Sequence, residues 1–441
     1  MSSPRHFAPR SLEPPSGTRD FLASELRVRE SAFATIRAVF ERYGFDPLQT
    51  PAFERLDVLT GKYGDEGDKL IFKILRRGEH EASGEADLGL RYDLTVPLAR
   101  VVGGYGSQLP SPYRRYAIGP VWRADRPGRG RFREFMQCDV DIVGSSAPLA
   151  DAEVLCAIHD ALATLGIAGF RFLVNSRQAL SGLLHAYGVP AEIGGGVLIA
   201  LDKLDKLTPD DVMAELERRR LAPATAKAIV HDLITDDAPE RMRALLAKSE
   251  RGQAGLADVD RLLELVAGAI PQERIAFTPH LVRGLDYYTG VVWEVVASDL
   301  PASLASGGRY DGLVAALGGP DLPAVGGSLG IERILAILPT RNDEADRIDI
   351  AVTLIDENGI ADLMTLAAEL RRGGLRVELY LGSSAKLARQ LRWAADRRGR
   401  HALIYGHEER VAGEITVRDM DTGEQNRLPI DKVAAYLKGK E

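Results

Sequence analysis

The segment from Tyr116 to Gly144, YAIGPVWRADRPGRGRFREFMQCDVDIVG, constrains this chain more than any other stretch. Two short apolar runs, one with Val121 and Trp122 and one with Val140, Ile142 and Val143, flank residues too rich in Gly, Pro and Arg for helix or buried strand. That pattern predicts a hairpin with a charged loop. Arg123, Arg126, Arg129, Arg131 and Arg133 crowd the loop, opposed only by Asp125 and Glu134. Folding gives such a loop little reason to exist, and guanidiniums gathered this densely suit a polyanion. A solvated basic loop has the same composition, so the rest of the chain must decide between the two.

At 441 residues the chain is long for one core, and two or three domains are expected. Hydrophobic residues at 45% and charged residues at 27% are globular values, which argues against disorder. No apolar run approaches the roughly 20 residues of a membrane span. The opening MSSPRHFAPRSLEPPSG has no apolar core of the signal-peptide kind, and the expected location is the cytoplasm. Cys138, Cys156 and 8 scattered histidines form no CxxC, HxxxH or HExxH, so neither a zinc site nor a disulfide framework is expected. A net charge of −7 ordinarily speaks against nucleic acid. Lys386, Arg389, Arg392, Arg397, Arg398 and Arg400 are nevertheless opposed in sequence only by Asp396, a basic patch that the total conceals.

After GTRDF (Gly17 to Phe21), apolar positions Leu26, Phe33, Ile36, Val39 and Phe40 predict a helix from about Leu22 to Tyr43, stopped at Gly44. Pro47 and Pro51 then restrict FDPLQTPAFE to an edge strand or an interface. LGLRYDLTVPLARVV alternates before turning helical and places Asp93 in an apolar strand, where it faces water or, in a cleft, a ligand's ammonium group. From about Arg177 to Leu265 the period is helical, with a helix start at Thr208, Pro209, Asp210 and Asp211, and the block reads as an inserted accessory domain. In HLVRGLDYYTGVVWEVV the adjacent Tyr287 and Tyr288 point to opposite faces if extended. SGGRYDGLV and VGGSLGIERILAIL follow, the second passing from a Gly-rich strand into a helix near Glu332 and Arg333. Tight packing is the ordinary use of Gly326, Gly327 and Gly330. Beyond the polar TRNDEADR, alternating β and α patterns predict a small α/β domain.

There is no GxxxxGK[ST] loop, no strand-linked GxGxxG, and no HIGH or KMSKS. If the arginines of the hairpin, of RGLDYY and of GIER serve one ligand, it is a nucleoside triphosphate on an antiparallel sheet. In this order the segments resemble a class II aminoacyl-tRNA synthetase and, within that class, the histidyl-tRNA synthetase family. The helix with TPAFE is similar to the class's dimer-forming motif, the 116–144 hairpin to its second motif, and GGSLGIER to its third. LVRGLDYYTG and SGGRYDGL resemble the two segments peculiar to the histidine enzymes.

The resemblance implies an α+β fold, an antiparallel sheet flanked by helices. The catalytic core would occupy 1–176 and 266–340, interrupted by a helical insertion at 177–265 and followed at 346–441 by an α/β anticodon-binding domain. It implies a homodimer that joins L-histidine to tRNA(His) with ATP. Magnesium would accompany the phosphates, with no protein ligand assigned. Arg123 and Arg283 would be catalytic, on the α-phosphate. Phe135 would stack on adenine and Arg333 hold the γ-phosphate, with Arg131 and Asp125 as further nucleotide contacts. Asp93, Thr95 and Gln137 would take the α-ammonium of histidine and Asp141 with Tyr288 its imidazole, whose two nitrogens suit a carboxylate and a phenol, with Tyr287 on the same wall and Leu94 and Arg283 also among the histidine-binding residues.

RYDLT, where many bacterial members carry RPEGT, and QCDVD, with Asp at its second acid, resemble a eukaryote-like branch. Asp for Glu shortens both carboxylates by one methylene. ADRPGRGRF departs from the family where the tRNA's extra 5′ nucleotide is met. The alternative is a non-catalytic paralogue, the regulatory subunit of ATP phosphoribosyltransferase, which shares the catalytic fold.

Overall fold

The computed structural model describes residues 12–60, 69–78, 83–128, 131–204, 207–282, 287–298, 300–338 and 347–438. The chain divides into two compact units at residues 339 and 340.

The first unit is built on an eight-stranded sheet, most of whose pairings are antiparallel. Its first long helix, Ala23–Arg42, buries Phe33, Ile36, Val39 and Phe40 along one side. It ends before Gly44, whose φ of +72° a glycine adopts without the Cβ penalty. The strand β1 (Asp46–Pro47) then lies at the sheet's edge beside β5 (Tyr113–Trp122), the place a proline tolerates. A small sheet of β2 (Phe53–Arg55), β3 (Lys73–Leu75) and β4 (Ala86–Leu90) leads into the helix Thr95–Tyr105.

The expected hairpin is β5 with β6 (Glu134–Val143), paired from Tyr113 opposite Val143 to Trp122 opposite Glu134. Beyond β6 the sheet runs through β11 (Ala324–Leu329), β10 (Leu300–Arg309), β9 (Val291–Ala297) and β7 (Phe170–Ser176) to β8 (Ile275–Phe277). Trp293 lies across β10 and β11 on the face packed by helix Pro148–Thr164, and a Cβ at Gly307 or Gly327 would fall 2.4 Å or 2.3 Å from its ring. Packing therefore accounts for Gly327. The opposite face borders two cavities.

Six helices fill Arg177–Val266, and Thr208 caps one of them by accepting the Asp211 amide at 3.2 Å. Their buried residues, among them Val197, Leu216, Ile229 and Val259, join the sheet's apolar core in one cluster. No single helix among the described residues is long and apolar enough to cross a membrane.

The second unit is a five-stranded sheet ordered β13 (Val377–Leu379), β12 (Ile350–Val352), β14 (His401–Ile404), β15 (Glu414–Asp419), β16 (Gln425–Pro429). Ile350 and Val352 join the core with Leu363, Leu366 and Leu370, whereas Ala351 packs with Ala394, so helices cover both faces. The basic patch is less naked than its sequence: Glu378 of β13 pairs with Arg397, and Asp349 lies 3.9 Å from Arg400.

Candidate active site

On β6, Gln137, Asp139 and Asp141 are spaced by two and share a face, while Cys138, Val140 and Ile142 are buried in the apolar core on the other. The shared face borders two adjoining cavities. The larger, about 310 Å³, is lined by Arg123, Asp125, Arg131, Phe135 and Arg333 among others. The smaller, about 230 Å³, is lined by Asp93, Thr95, Asp141, Tyr287, Tyr288 and Tyr310. Arg123, Gln137, Ser306 and Ser328 line both, so the cavities share a wall. Of the expected residues, Leu94 lines neither: its side chain packs with Ala117, Val121 and Phe135. Arg283 and Arg129 lie outside the described residues.

In the larger cavity Arg123 follows β5 directly, and its Nε donates to the Tyr92 carbonyl at 3.0 Å. Its guanidinium carbon sits 5.2 Å from the centre of the Phe135 ring, close enough for a cation–π contact. Arg333, in the first turn of helix Ile331–Ile337, donates to the Ser303 carbonyl at 2.7 Å and hydroxyl at 3.1 Å. Arg131 closes the hairpin loop through backbone bonds to Gly128. Cationic side chains from three elements thus converge on one cavity beside an aromatic ring, an arrangement that fits an aromatic base carrying phosphates.

The smaller cavity has the opposite sign. Asp93, Asp139 and Asp141 are all buried, and the guanidinium buried behind them is that of Arg115. Its Nη2 lies 2.8 Å from Asp141 Oδ2 and 4.0 Å from Asp139 Oδ2. Tyr310 donates to Asp141 Oδ1 at 2.5 Å. Burial pushes the Asp139 carboxyl up to about 7, against the pull of Arg115 and with the push of Asp141. Burial also raises Asp141, opposed by Arg115 and by the Tyr310 hydrogen bond. For Arg115 burial disfavours the charge, but Asp141 and Asp139 outweigh it and its pKa rises. Gln137 donates to Ser328 Oγ at 3.1 Å, and its Oε1 is buried without a hydrogen-bond partner. Three buried acids set against Arg115 and the cavity-lining Arg123, with an unsatisfied acceptor, make a cavity that suits a cation with N–H donors.

Two expectations are corrected. Asp93 is not in a strand: it lies between β4 and the helix Thr95–Tyr105, and accepts the Val96 amide at 3.1 Å. A short acidic side chain there satisfies an orphan helix amide, which outweighs strand alternation. Tyr287 and Tyr288 do not divide between faces. Both line the cavity, with ring centres 4.8 Å apart, because β9 begins only at Val291 and the strand period does not reach them.

Asp139, Tyr310, Ser306 and Ser328 join the two cavities, and Arg115 lies behind the smaller one, without a distinguishing mark of their own in the sequence. The signals are positional: Asp139 stands two before Asp141, and Tyr310 lies inside SGGRYDGL. Nothing local separates Arg115 from Arg114, which is part-exposed and bonded to Glu153.

GTRDF also gains a role. Arg29 holds Glu332 through two bonds at 2.8 and 2.9 Å, and Arg19 adds a third at 2.5 Å. Arg19 also stacks 4.0 Å from the Phe132 ring centre, and the Gly17 carbonyl accepts the Arg133 amide at 2.7 Å. The segment thereby ties the hairpin loop to the helix that carries Arg333. Glu332→Ala would strand the buried charge of Arg29, and a loss of about 3–5 kcal/mol is expected in urea unfolding. An unchanged midpoint would show that the pair braces nothing. Among the described residues no group of three or more His, Cys, Asp or Glu could hold a metal ion, and both Glu332 oxygens are engaged by arginine.

The family model described as Histidyl-tRNA synthetase matches residues 17–334, and that described as Anticodon binding domain matches residues 349–440. The chain is 38% identical to the histidine–tRNA ligase of Gloeobacter violaceus, over 96% of this chain and 98% of that one. It is 37% identical to that of Cytophaga hutchinsonii, with the same coverage. The crystal structure of histidyl-tRNA synthetase from Nostoc sp. PCC 7120 superposes with a TM-score of 0.80 at 28% identity, covering 98% of this chain and 100% of that one. The cationic and acidic cavities thus sit in a chain matched almost end to end, and it belongs to the histidyl-tRNA synthetase family.

Proposed function

We propose that the protein activates L-histidine with ATP and transfers it to the 3′ end of tRNA(His). The observation that carries this reading is the shared wall: an arginine-lined cavity for a polyphosphate adjoins an acid-lined cavity for a small cation. At that wall a histidine carboxylate and an α-phosphate can meet, with Arg123 beside both.

ATP, as its magnesium complex, is the substrate of the first step. A carboxylate oxygen of histidine attacks the α-phosphorus in line. The bond to the β-phosphate oxygen breaks and pyrophosphate leaves. Arg123, with Arg283 assigned from RGLDYY, stabilises the charge that builds on the α-phosphoryl oxygens. Phe135 presents a surface for adenine, and Arg333 and Arg131 take the outer phosphates. Asp93, Thr95 and Gln137 accept the α-ammonium, whereas Asp141 and the tyrosines receive the imidazole. A terminal ribose hydroxyl of the tRNA then attacks the acyl carbon, releasing AMP.

The second unit, with Lys386 exposed just before the helix Leu387–Asp396 and Arg389 and Arg392 exposed along it, reads the anticodon in this scheme. The exposed Phe53 on β2 supports a homodimer formed through the TPAFE region, and the expected location is the cytoplasm.

The test is ATP-dependent pyrophosphate exchange across the twenty amino acids. Stimulation by histidine alone is expected, whereas silence with all of them would favour the regulatory paralogue.

A further inference from the structure

Arg115 touches neither cavity, yet three parts of the smaller cavity's wall meet on it. Its Nη2 reaches Asp141 at 2.8 Å, approaches Asp139 at 4.0 Å and donates to the Leu94 carbonyl at 3.1 Å. Leu94 thus contributes through its backbone, which ties the Asp93–Thr95 segment to the acids of β6. Asp141 is fixed from two further sides. Tyr310 donates to its Oδ1, and Gly326 lies opposite it on β11, where a Cβ would fall 1.9 Å from that oxygen. Its Oδ2, ion-paired with Arg115, has no well-directed hydrogen bond and keeps acceptor capacity.

We propose that Arg115 is a positioning residue for amino-acid selection, holding Asp141 charged and oriented so that it accepts a ring N–H of the substrate. This rests on the reading of the smaller cavity as the histidine site. The physical reason is crowding. Asp93, Asp139, Asp141 and the phenols of Tyr288 and Tyr310 face one another at this buried wall, with Glu294 on β9 opposite the cavity-lining Ser306. Without Arg115, like-charge repulsion and desolvation would load a proton onto the Asp139–Asp141 pair. A protonated Asp141 donates where the substrate needs an acceptor. Part of the wall would also be untied from Leu94.

The experiment measures histidine-dependent pyrophosphate exchange against pH, from about 6 to 9, for wild type, Arg115→Met and Arg115→Lys. In Arg115→Met the KM for histidine is expected to rise roughly tenfold or more, with the KM for ATP nearly unchanged. The acid limb of kcat/KM for histidine should move to higher pH, because Asp141 must lose its proton to bind. The titration of free histidine is common to all variants and cancels. Arg115→Lys should restore the limb. An unmoved limb, or equal changes in both KM values, would reduce Arg115 to a fold-holding residue and overturn the proposal. Should Arg115→Met not fold, Asp139→Asn gives the converse test. Removing the like charge should shift the limb to lower pH, and no shift overturns the proposal. Wild type without histidine-dependent exchange would instead refute the reading of the site itself.

Discussion

Replacing Arg123 by alanine is expected to cut the rate of histidyl-adenylate formation by about 10²–10³-fold, the cost of losing one donor aimed at developing charge. The residue lies on the wall common to both cavities, where the proposed reaction brings its two groups together. Its Nε is held by the Tyr92 carbonyl and its plane rests near Phe135, so the group is oriented before substrate arrives. Preorganisation puts the loss in kcat, with a smaller rise in the KM for ATP from the lost ground-state contact. Arg123→Lys should recover little, because an ammonium cannot reproduce the planar fork. Single-turnover measurement of adenylate separates the terms. A mutant with wild-type kcat and only a raised KM for ATP would limit Arg123 to binding. Arg283→Ala, on the sequence assignment, is expected to lose roughly 10²-fold or more in the same assay.

Gly326→Ala should be nearly as damaging for a different reason. The new methyl carbon would meet Asp141 Oδ1 at 1.9 Å, Asp141 Cγ at 2.5 Å and the Val140 carbonyl oxygen at 2.9 Å. β11 lies between β6 and β10 and cannot retreat without breaking their pairing, so the Asp141 side chain must swing away. That breaks its contacts with Tyr310 and Arg115 together. A displacement of about 1 Å at a binding group can cost on the order of 10²-fold, and a loss of that size is expected in histidine activation. ATP binding, measured by calorimetry, should persist because Gly326 does not line the larger cavity, where the proposed function places the nucleotide. Gly104→Ala, where an added Cβ meets nothing within 4 Å, is the control for folding. Near-normal histidine activation in Gly326→Ala would mean that Asp141 does not touch the amino acid.

The two glycines of one motif illustrate why sequence carries only part of this site. Gly326 and Gly327 are equivalent as letters, and packing was the ordinary expectation for both. The strand alternation that separates their environments is itself readable from sequence. What lies on each side is not: Gly327 admits the ring of Trp293, and Gly326 admits a carboxylate from β6. The same holds for Arg114 and Arg115, neighbours of which one pairs near the surface and the other is buried behind three acids.

By itself the sequence determined the helix ends at Gly44 and Thr208, the arginine hairpin, the edge placement of Pro47 and the alternating β and α pattern of the second unit. These depend on backbone propensity, capping and apolar period within a few neighbouring residues. Its motifs also named many of the residues that line the two cavities, Asp93, Thr95, Arg123, Gln137, Asp141 and Arg333 among them. Only the tertiary structure decided that Asp93 caps a helix, that both tyrosines line one cavity, that Glu378 tempers the basic patch, and that Arg29 pairs with Glu332, 303 positions away, beside the larger cavity. The reason is that burial and charge pairing are set by whatever the folded chain brings within a few ångströms. Separation along the sequence places no bound on that distance.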